Sequence, residues 1–190
     1  MTKTVFLHAT LLTALLAATG ASAQTVKLQT TEGDIRIELN AEKAPKSVAN
    51  FLQYVKAGHY NGVIFHRVIQ NFMIQTGGYD AKLNQRPTKP PIPLESDNGL
   101  SNLRGTVAMA RTNDPNSATS QFFINVVDNI LLDADVGRIG TGYAVFGQVV
   151  EGMDVVDKIR AVDTKAQGVH QNLPVKPIFI TKALVEPVKK

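Results

Sequence analysis

The chain has 190 residues, with 20 lysines and arginines against 16 aspartates and glutamates, and it contains no cysteine. The absence of cysteine excludes disulfides, thiolate-bound zinc and thiol catalysis. The formal net charge of +4 is not gathered into a basic stripe, so we expect no nucleic-acid partner.

The first 23 residues have the order of a secretory signal peptide. Lys3 precedes an apolar stretch, Val5 to Ala18, which is followed by the small-x-small sequence Ala21-Ser22-Ala23. The alternative is a membrane anchor, but this apolar stretch is shorter than the ~20 residues that a spanning helix needs. We predict a signal peptide at residues 1–23, a single domain at residues 24–190, and no membrane association after cleavage.

The mature chain opens with a predicted β-hairpin and a predicted helix. Two alternating runs, 26–31 and 34–39, flank a turn that contains Gly33. The helix covers residues 45–58, begins with proline and ends with glycine. One apolar stripe runs along it, formed by Val48, Phe51, Leu52 and Val55.

Short apolar segments dominate the rest of the chain. We predict strands at 63–68, 72–75, 106–110, 121–126, 143–150 and about 177–185, and a second helix at 153–160. The loop 86–95 holds four prolines; it is either a polyproline ligand for a partner or, the preferred interpretation, a rigidly packed loop. Many short strands with two helices predict a barrel or a sandwich, and the pattern alone does not choose between them.

The common catalytic arrangements are missing from the sequence. His59, His66 and His170 lack metal-ligand spacing, so we predict no metal. No serine lies in a Gly-x-Ser-x-Gly elbow, and GRIGTG at 137–142 has the wrong spacing for a dinucleotide fingerprint. We therefore predict no cofactor.

What remains is a set of polar residues among large apolar ones: Arg67, Gln75 and Gln121 beside Phe72, Met73, Phe123 and Leu132. With a strand period of two, Arg67 shares a face with Phe65, and His66 faces the other way in a structural role. The alternative for Arg67 is that it merely has a charged partner or points to water.

Three segments, FHRVIQNFMIQTGG, SATSQFFINV and YAVFGQVVEGMDVVDKI, resemble the cyclophilins, the peptidyl-prolyl cis-trans isomerases of that family. The resemblance extends from about Val26 to Val185 and, with the leader, is to the exported bacterial cyclophilins. It implies a mainly β fold, a closed eight-stranded antiparallel β-barrel capped by two α-helices.

The resemblance also implies the site. Arg67 and Gln75 are expected to be catalytic, and the expected substrate-binding residues are Phe72, Met73, Ala110, Arg111, Gln121, Phe123, Leu131, Leu132 and Tyr143.

Three of these positions depart from patterns in the family. Arg111 stands in place of an asparagine of the eukaryotic pattern, and we expect it to favour acidic residues flanking the proline. Tyr143 stands where many members have histidine; we expect it to close the pocket or to donate a hydrogen bond to the substrate. Leu131 stands in place of a tryptophan that helps to bind cyclosporin, so we expect weak cyclosporin binding.

The expected function is isomerisation of X–Pro bonds in exported polypeptides, assisting their folding. The alternative is a non-catalytic chaperone or assembly module that binds proline-containing segments in the same pocket. The Arg67–Gln75 pair favours the enzyme, because binding proline needs only the apolar pocket. We expect a monomer that acts on proline-containing polypeptides and that is periplasmic if the cell has an outer membrane.

Overall fold

The computed structural model describes residues 24–134 and 141–187. The predicted signal peptide, most of the GRIGTG segment at 137–142 and the last three residues of the predicted domain therefore lie outside the described residues. The described α-helices are α1, Pro45–Lys56, and α2, Met153–Arg160. The described strands are β1 Thr25–Thr30, β2 Gly33–Leu39, β3 Val63–Ile64, β4 Arg67–Ile69, β5 Met73–Thr76, β6 Thr106–Met109, β7 Phe122–Asn125, β8 Val145–Glu151, β9 Thr164–Gln167, β10 His170–Pro174 and β11 Phe179–Val185.

Nine strands form one antiparallel sheet in the order β3-β11-β1-β2-β8-β6-β7-β5-β4. Its two edges, β3 and β4, are separated in the chain only by Phe65 and His66. The Phe65 N–H donates to Ile178 O at 2.9 Å, whereas the His66 N–H donates to Gln75 O at 3.1 Å. The sheet therefore curls so far that its two edge strands, β3 and β4, follow each other directly in the chain.

This curled antiparallel sheet with two helices confirms the predicted mainly β fold with two α-helices. The barrel is open where the prediction has it closed, because the strand predicted at 63–68 is divided at Phe65 and His66. Because the strand is divided, the prediction that Phe65 and Arg67 share one face is wrong. Phe65 is fully buried in the main core and Arg67 is exposed, since side chains alternate strictly only within an unbroken strand.

Helix α1 covers the main core with its apolar stripe. Phe51 lies at the centre, its ring centroid 5.3 Å from that of Tyr60, 5.2 Å from Phe122 and 5.1 Å from Phe146. The other three residues of the predicted stripe are buried as well. The sequence pattern thus identified the buried face of α1 correctly, because burial repeats with the helical period.

The proline-rich loop packs against α1. The Glu95 carboxylate accepts hydrogen bonds from the N–H groups of Lys46 at 3.0 Å and Ser47 at 2.8 Å, in the first turn of the helix. The Lys89 N–H donates to the Tyr54 hydroxyl at 2.8 Å. The loop therefore satisfies donors that a helix start leaves unpaired, as the packed-loop interpretation predicts.

The second helix has the predicted bounds, whereas the hairpin that follows it was not predicted. Strands β9 and β10 form a separate two-stranded sheet, and β10 contacts β4. Every residue of β9 is exposed, so the strand carries no alternation of apolar and polar residues to reveal it. Within the described ranges, no helix has both the length and the apolar composition needed to cross a membrane.

Candidate active site

Arg67 and Gln75 face each other across the β4–β5 hairpin. They are direct partners in the antiparallel register. The Arg67 Nη1–H donates to Gln75 Oε1 at 3.3 Å, and the Gln75 Nε2–H donates to Gln121 Oε1 at 2.9 Å. The structure thus brings three of the predicted site residues into one hydrogen-bonded chain that ends at an exposed guanidinium.

Strands β5, β6, β7 and β8 and a turn build an apolar cluster beside these hydrogen bonds. Met73 of β5, Phe123 of β7 and Leu132 are buried in a small cluster that is separate from the main core. Leu132 comes from a 3₁₀ turn, Ile130–Leu132. The predicted residues Phe72, Ala110 and Tyr143 are partly buried against the same cluster.

The exposed guanidinium lies near the edge of the apolar cluster. Its carbon is 6.0 Å from the centroid of the Phe72 ring. None of the acidic side chains in the described ranges forms an ion pair with Arg67. Arg67 is exposed, as the alternative of an arginine pointing to water also predicts. The hydrogen bond to Gln75 and the neighbouring apolar cluster distinguish it from an ordinary surface arginine.

Arg111 holds the loop that carries Tyr143. Its guanidinium donates to Gly142 O at 3.0 Å, to Thr141 Oγ1 at 3.0 Å and to Thr112 O at 2.8 Å. The guanidinium carbon also lies 4.6 Å from the centroid of the Tyr143 ring, a cation–π contact. These contacts give Arg111 a structural role, and its expected preference for acidic substrates stays a prediction.

Tyr143 connects Arg111 with the pocket. Its ring packs edge-on against Phe123, with centroids 5.6 Å apart. Its N–H donates to Leu132 O at 2.8 Å. Tyr143 therefore packs against the apolar cluster, whereas its contact with a substrate stays a prediction.

The two adjacent leucines of the 3₁₀ turn have different environments. Leu132 is 5 % exposed and belongs to the apolar cluster, but Leu131 is 64 % exposed and does not. The short turn directs successive side chains to different sides. The structure therefore does not bring Leu131 into the pocket cluster with the other predicted residues.

Several residues that support the site were not predicted from the sequence. The Asn129 side chain donates to Phe72 O at 2.8 Å and to Asn125 Oδ1 at 2.7 Å, tying the 3₁₀ turn to the strands. Gly78 lies under Gln121, where an added Cβ would be 2.7 Å from Gln121 Cδ. The fully buried Asn125 could have been found, because an asparagine inside the apolar strand FFIN signals a polar network.

Beside Arg67, His66 is buried and neutral. Burial, with the nearby charges of His170 and Arg67, lowers the pKa of His66 to about 4. His66 is 4 % exposed, so the structural interpretation of this histidine agrees with its burial. Of the neighbours His66 and Arg67, only Arg67 is therefore charged at neutral pH.

A family model described as cyclophilin type peptidyl-prolyl cis-trans isomerase/CLD matches residues 25–185. The chain belongs to the cyclophilin family. It is 54 % identical over 175 residues to peptidyl-prolyl cis-trans isomerase A of Dickeya dadantii, covering 92 % of this chain and 91 % of that one. It is 52 % identical to peptidyl-prolyl cis-trans isomerase B of Escherichia coli, covering 84 % of this chain and 98 % of the relative. This cyclophilin is therefore a peptidyl-prolyl cis-trans isomerase, and the predicted enzyme class is confirmed.

A solved structure has the same fold. The cyclophilin of Cryptosporidium parvum in the presence of the dipeptide Ala-Pro superimposes with a TM-score of 0.71 at 25 % identity, covering 86 % of this chain and 99 % of that one. Within the cyclophilin family, the residue roles in this chain stay predictions that its geometry makes testable.

Proposed function

We propose that this cyclophilin is exported and accelerates rotation about X–Pro bonds in exported polypeptides, with Arg67 as its catalytic residue. The observation that carries the catalytic assignment is the exposed Arg67 guanidinium, hydrogen-bonded to Gln75 and lying beside the apolar cluster. The same surface takes the proline ring and its flanking peptide.

The reaction requires a twisted amide. Rotation about a peptide bond has a barrier of ~18–20 kcal/mol, because the nitrogen lone pair is delocalised into the carbonyl. Exchange at X–Pro bonds takes tens to hundreds of seconds without a catalyst. No covalent bond breaks, so the reaction needs neither a nucleophile nor a cofactor.

Arg67 supplies what the twisted state needs. In that state the lone pair returns to the prolyl nitrogen, which becomes a hydrogen-bond acceptor. Arginine stays protonated and presents its donors in a fixed plane. Gln75 holds that plane by accepting from Nη1 at 3.3 Å, and Gln121 holds Gln75 in turn.

One hydrogen bond does not account for the whole acceleration. Bringing the exchange to milliseconds requires roughly 10⁴–10⁵-fold, or about 5.5–7 kcal/mol. A hydrogen bond to a charged group contributes only ~1.5–3 kcal/mol net. The remainder comes from the proline ring being fixed among Phe72, Met73, Phe123 and Leu132, and from donors that are already oriented.

Export is supported by the leader pattern, with Lys3, the apolar stretch and the Ala21-Ser22-Ala23 site before Gln24. The mature protein is then periplasmic in a cell with an outer membrane and works as a monomer on proline-containing clients. Such clients fold after translocation, when slow X–Pro exchange delays them.

The catalytic proposal is tested by exchange NMR on a short Ala-Pro peptide. Catalytic amounts of wild type should give fast cis/trans exchange, and Arg67→Ala should lose at least a hundredfold in turnover while its peptide affinity changes little. Arg36→Ala is the matched control, because Arg36 forms ion pairs with Glu151 and Glu186 instead of lining the pocket. Peptide binding without accelerated exchange in wild type would favour the non-catalytic binding module.

The export proposal is tested by expressing the full chain in a host with an outer membrane. Mass spectrometry should find a periplasmic product that begins at Gln24, and Ala23→Phe should accumulate as precursor. A wild-type protein that keeps Met1 and stays in the cytoplasmic fraction would contradict export. Light scattering on the mature product checks its monomeric state, which a mass twice that expected would contradict.

A further inference from the structure

Three aromatic side chains form a cluster next to the strand that carries Arg67. His66 immediately precedes β4, Tyr79 follows β5, and His170 begins β10. Ring centroids are 4.7 Å apart for His66 and Tyr79, 4.8 Å for Tyr79 and His170, and 5.9 Å for His66 and His170. All three pairs are edge-to-face, the arrangement that aromatic quadrupoles favour.

His66 is an unusual residue for a purely packed position. It is 4 % exposed, and its Nδ1 has no hydrogen-bond partner among the described residues. An apolar ring would avoid the penalty of burying an unpaired nitrogen. The groups that face the imidazole are His170 of β10, Tyr79, the neighbouring Arg67, the Gln121 amide and the Ile64 backbone.

The backbone of His66 connects this cluster to the catalytic pair. The His66 N–H donates to Gln75 O at 3.1 Å, and the next residue in the chain is Arg67. Arg67 and Gln75 are themselves register partners. A shift of the His66 backbone would therefore act on both residues of the Arg67–Gln75 hydrogen bond.

The hairpin is buried at one end, where Leu173 and Pro174 of β10 are buried, and is exposed or half-buried elsewhere. All of β9 is exposed, and Val169 in the connecting turn is 87 % exposed. Strand β10 nevertheless contacts β4, with His170 against His66. The hairpin thus places one half-buried ring against the segment that precedes the catalytic arginine.

We propose that the β9–β10 hairpin positions Arg67 through this cluster, with His170 and His66 as positioning residues for isomerisation. The inference rests on the proposed catalytic role of Arg67. Neither histidine needs to touch the substrate. His170 fixes the His66 ring, and the His66 backbone, bonded to Arg67 and hydrogen-bonded to Gln75, fixes the position of both residues.

A double-mutant cycle tests the inference by exchange NMR, with His170→Ala, Arg67→Ala and the double variant. His170→Ala should lower kcat by about tenfold to a hundredfold, because a displacement of about 1 Å has effects of that size. The KM should stay within about twofold, because His170 does not line the pocket. In the Arg67→Ala background, His170→Ala should have no further effect.

Two variants control for a merely structural effect. His170→Phe restores a ring and should restore kcat, whereas Gln171→Ala, at an exposed neighbouring position, should leave kcat unchanged. Equal losses in both backgrounds, or an unchanged kcat in folded His170→Ala, would overturn the positioning role alone. An unchanged kcat in Arg67→Ala would overturn the catalytic assignment and this inference with it.

Discussion

Arg67 shows how a charged residue can belong to an apolar strand pair. Its β-carbon lies on the outside of the curled sheet, so its guanidinium stays in contact with water while Val68 is buried. The antiparallel register then places Gln75 directly opposite. A glutamine there accepts one hydrogen bond and donates another, which a leucine could not do.

Leu131 gives a prediction at the same scale. The family resemblance places Leu131 at the position of a tryptophan that helps to bind cyclosporin, and Leu131 is 64 % exposed outside the apolar cluster. We therefore expect cyclosporin to bind weakly. Isothermal titration calorimetry of the mature protein measures this affinity. A tryptophan-containing cyclophilin titrated in parallel is the control, and an equally tight complex with this chain would contradict the expectation.

At the scale of elements, the connection between β8 and α2 depends on Gly152. Gly152 has a φ of +92° and sits at the start of α2. An added Cβ would be 2.2 Å from Asp34 O and 3.0 Å from Ile35 Cα. Both contacts are with backbone atoms of β2, so a change of side-chain rotamer cannot relieve them.

We therefore expect Gly152→Ala to lower the free energy of unfolding by the left-handed penalty of about 1–2 kcal/mol and by a further overlap cost of about 1–3 kcal/mol. Gly99→Ala is the matched control, because Gly99 has a φ of +77° with no atom within 4 Å of the added Cβ. Urea denaturation compares the two variants. Equal losses of stability would show that the close approach at Gly152 is unimportant.

On the scale of the whole molecule, the curled sheet separates a large core under α1 from the small cluster beside Arg67. His66 lies between the β9–β10 hairpin and β4, and burial of this histidine lowers its pKa to about 4. The pKa of His59 is also lowered by burial. Both histidines therefore bind protons less readily in the folded state than in the unfolded state.

This difference predicts a loss of stability in mild acid. The contribution of His66 to the free energy of unfolding is complete above pH 6.5, the pKa of this histidine in the unfolded chain, and is lost as the pH falls towards about 4. It amounts to at most about 3 kcal/mol. Denaturant midpoints measured between pH 4 and pH 7 should fall with pH in wild type and fall less steeply in His66→Phe. Parallel curves would contradict the prediction.

The sequence by itself determined several of the local elements and the family to which the chain belongs. The bounds of α2, the buried stripe of α1 and the hairpin of β1 and β2 follow from periodicity and turn residues, which act over a few neighbouring positions. The motifs around Arg67 and Gln121 were sufficient to predict the cyclophilin fold and the isomerase class.

Only the tertiary structure decided how distant segments meet. The division of the strand at Phe65 and His66, the exposure of Leu131 beside the buried Leu132, and the packing of His170 on His66 depend on contacts between residues far apart in the chain. The exposed strand β9 has no local signal at all. Periodicity reports which face of an element is buried, but the partner that buries it is specified only when the sheet curls and its edges come together.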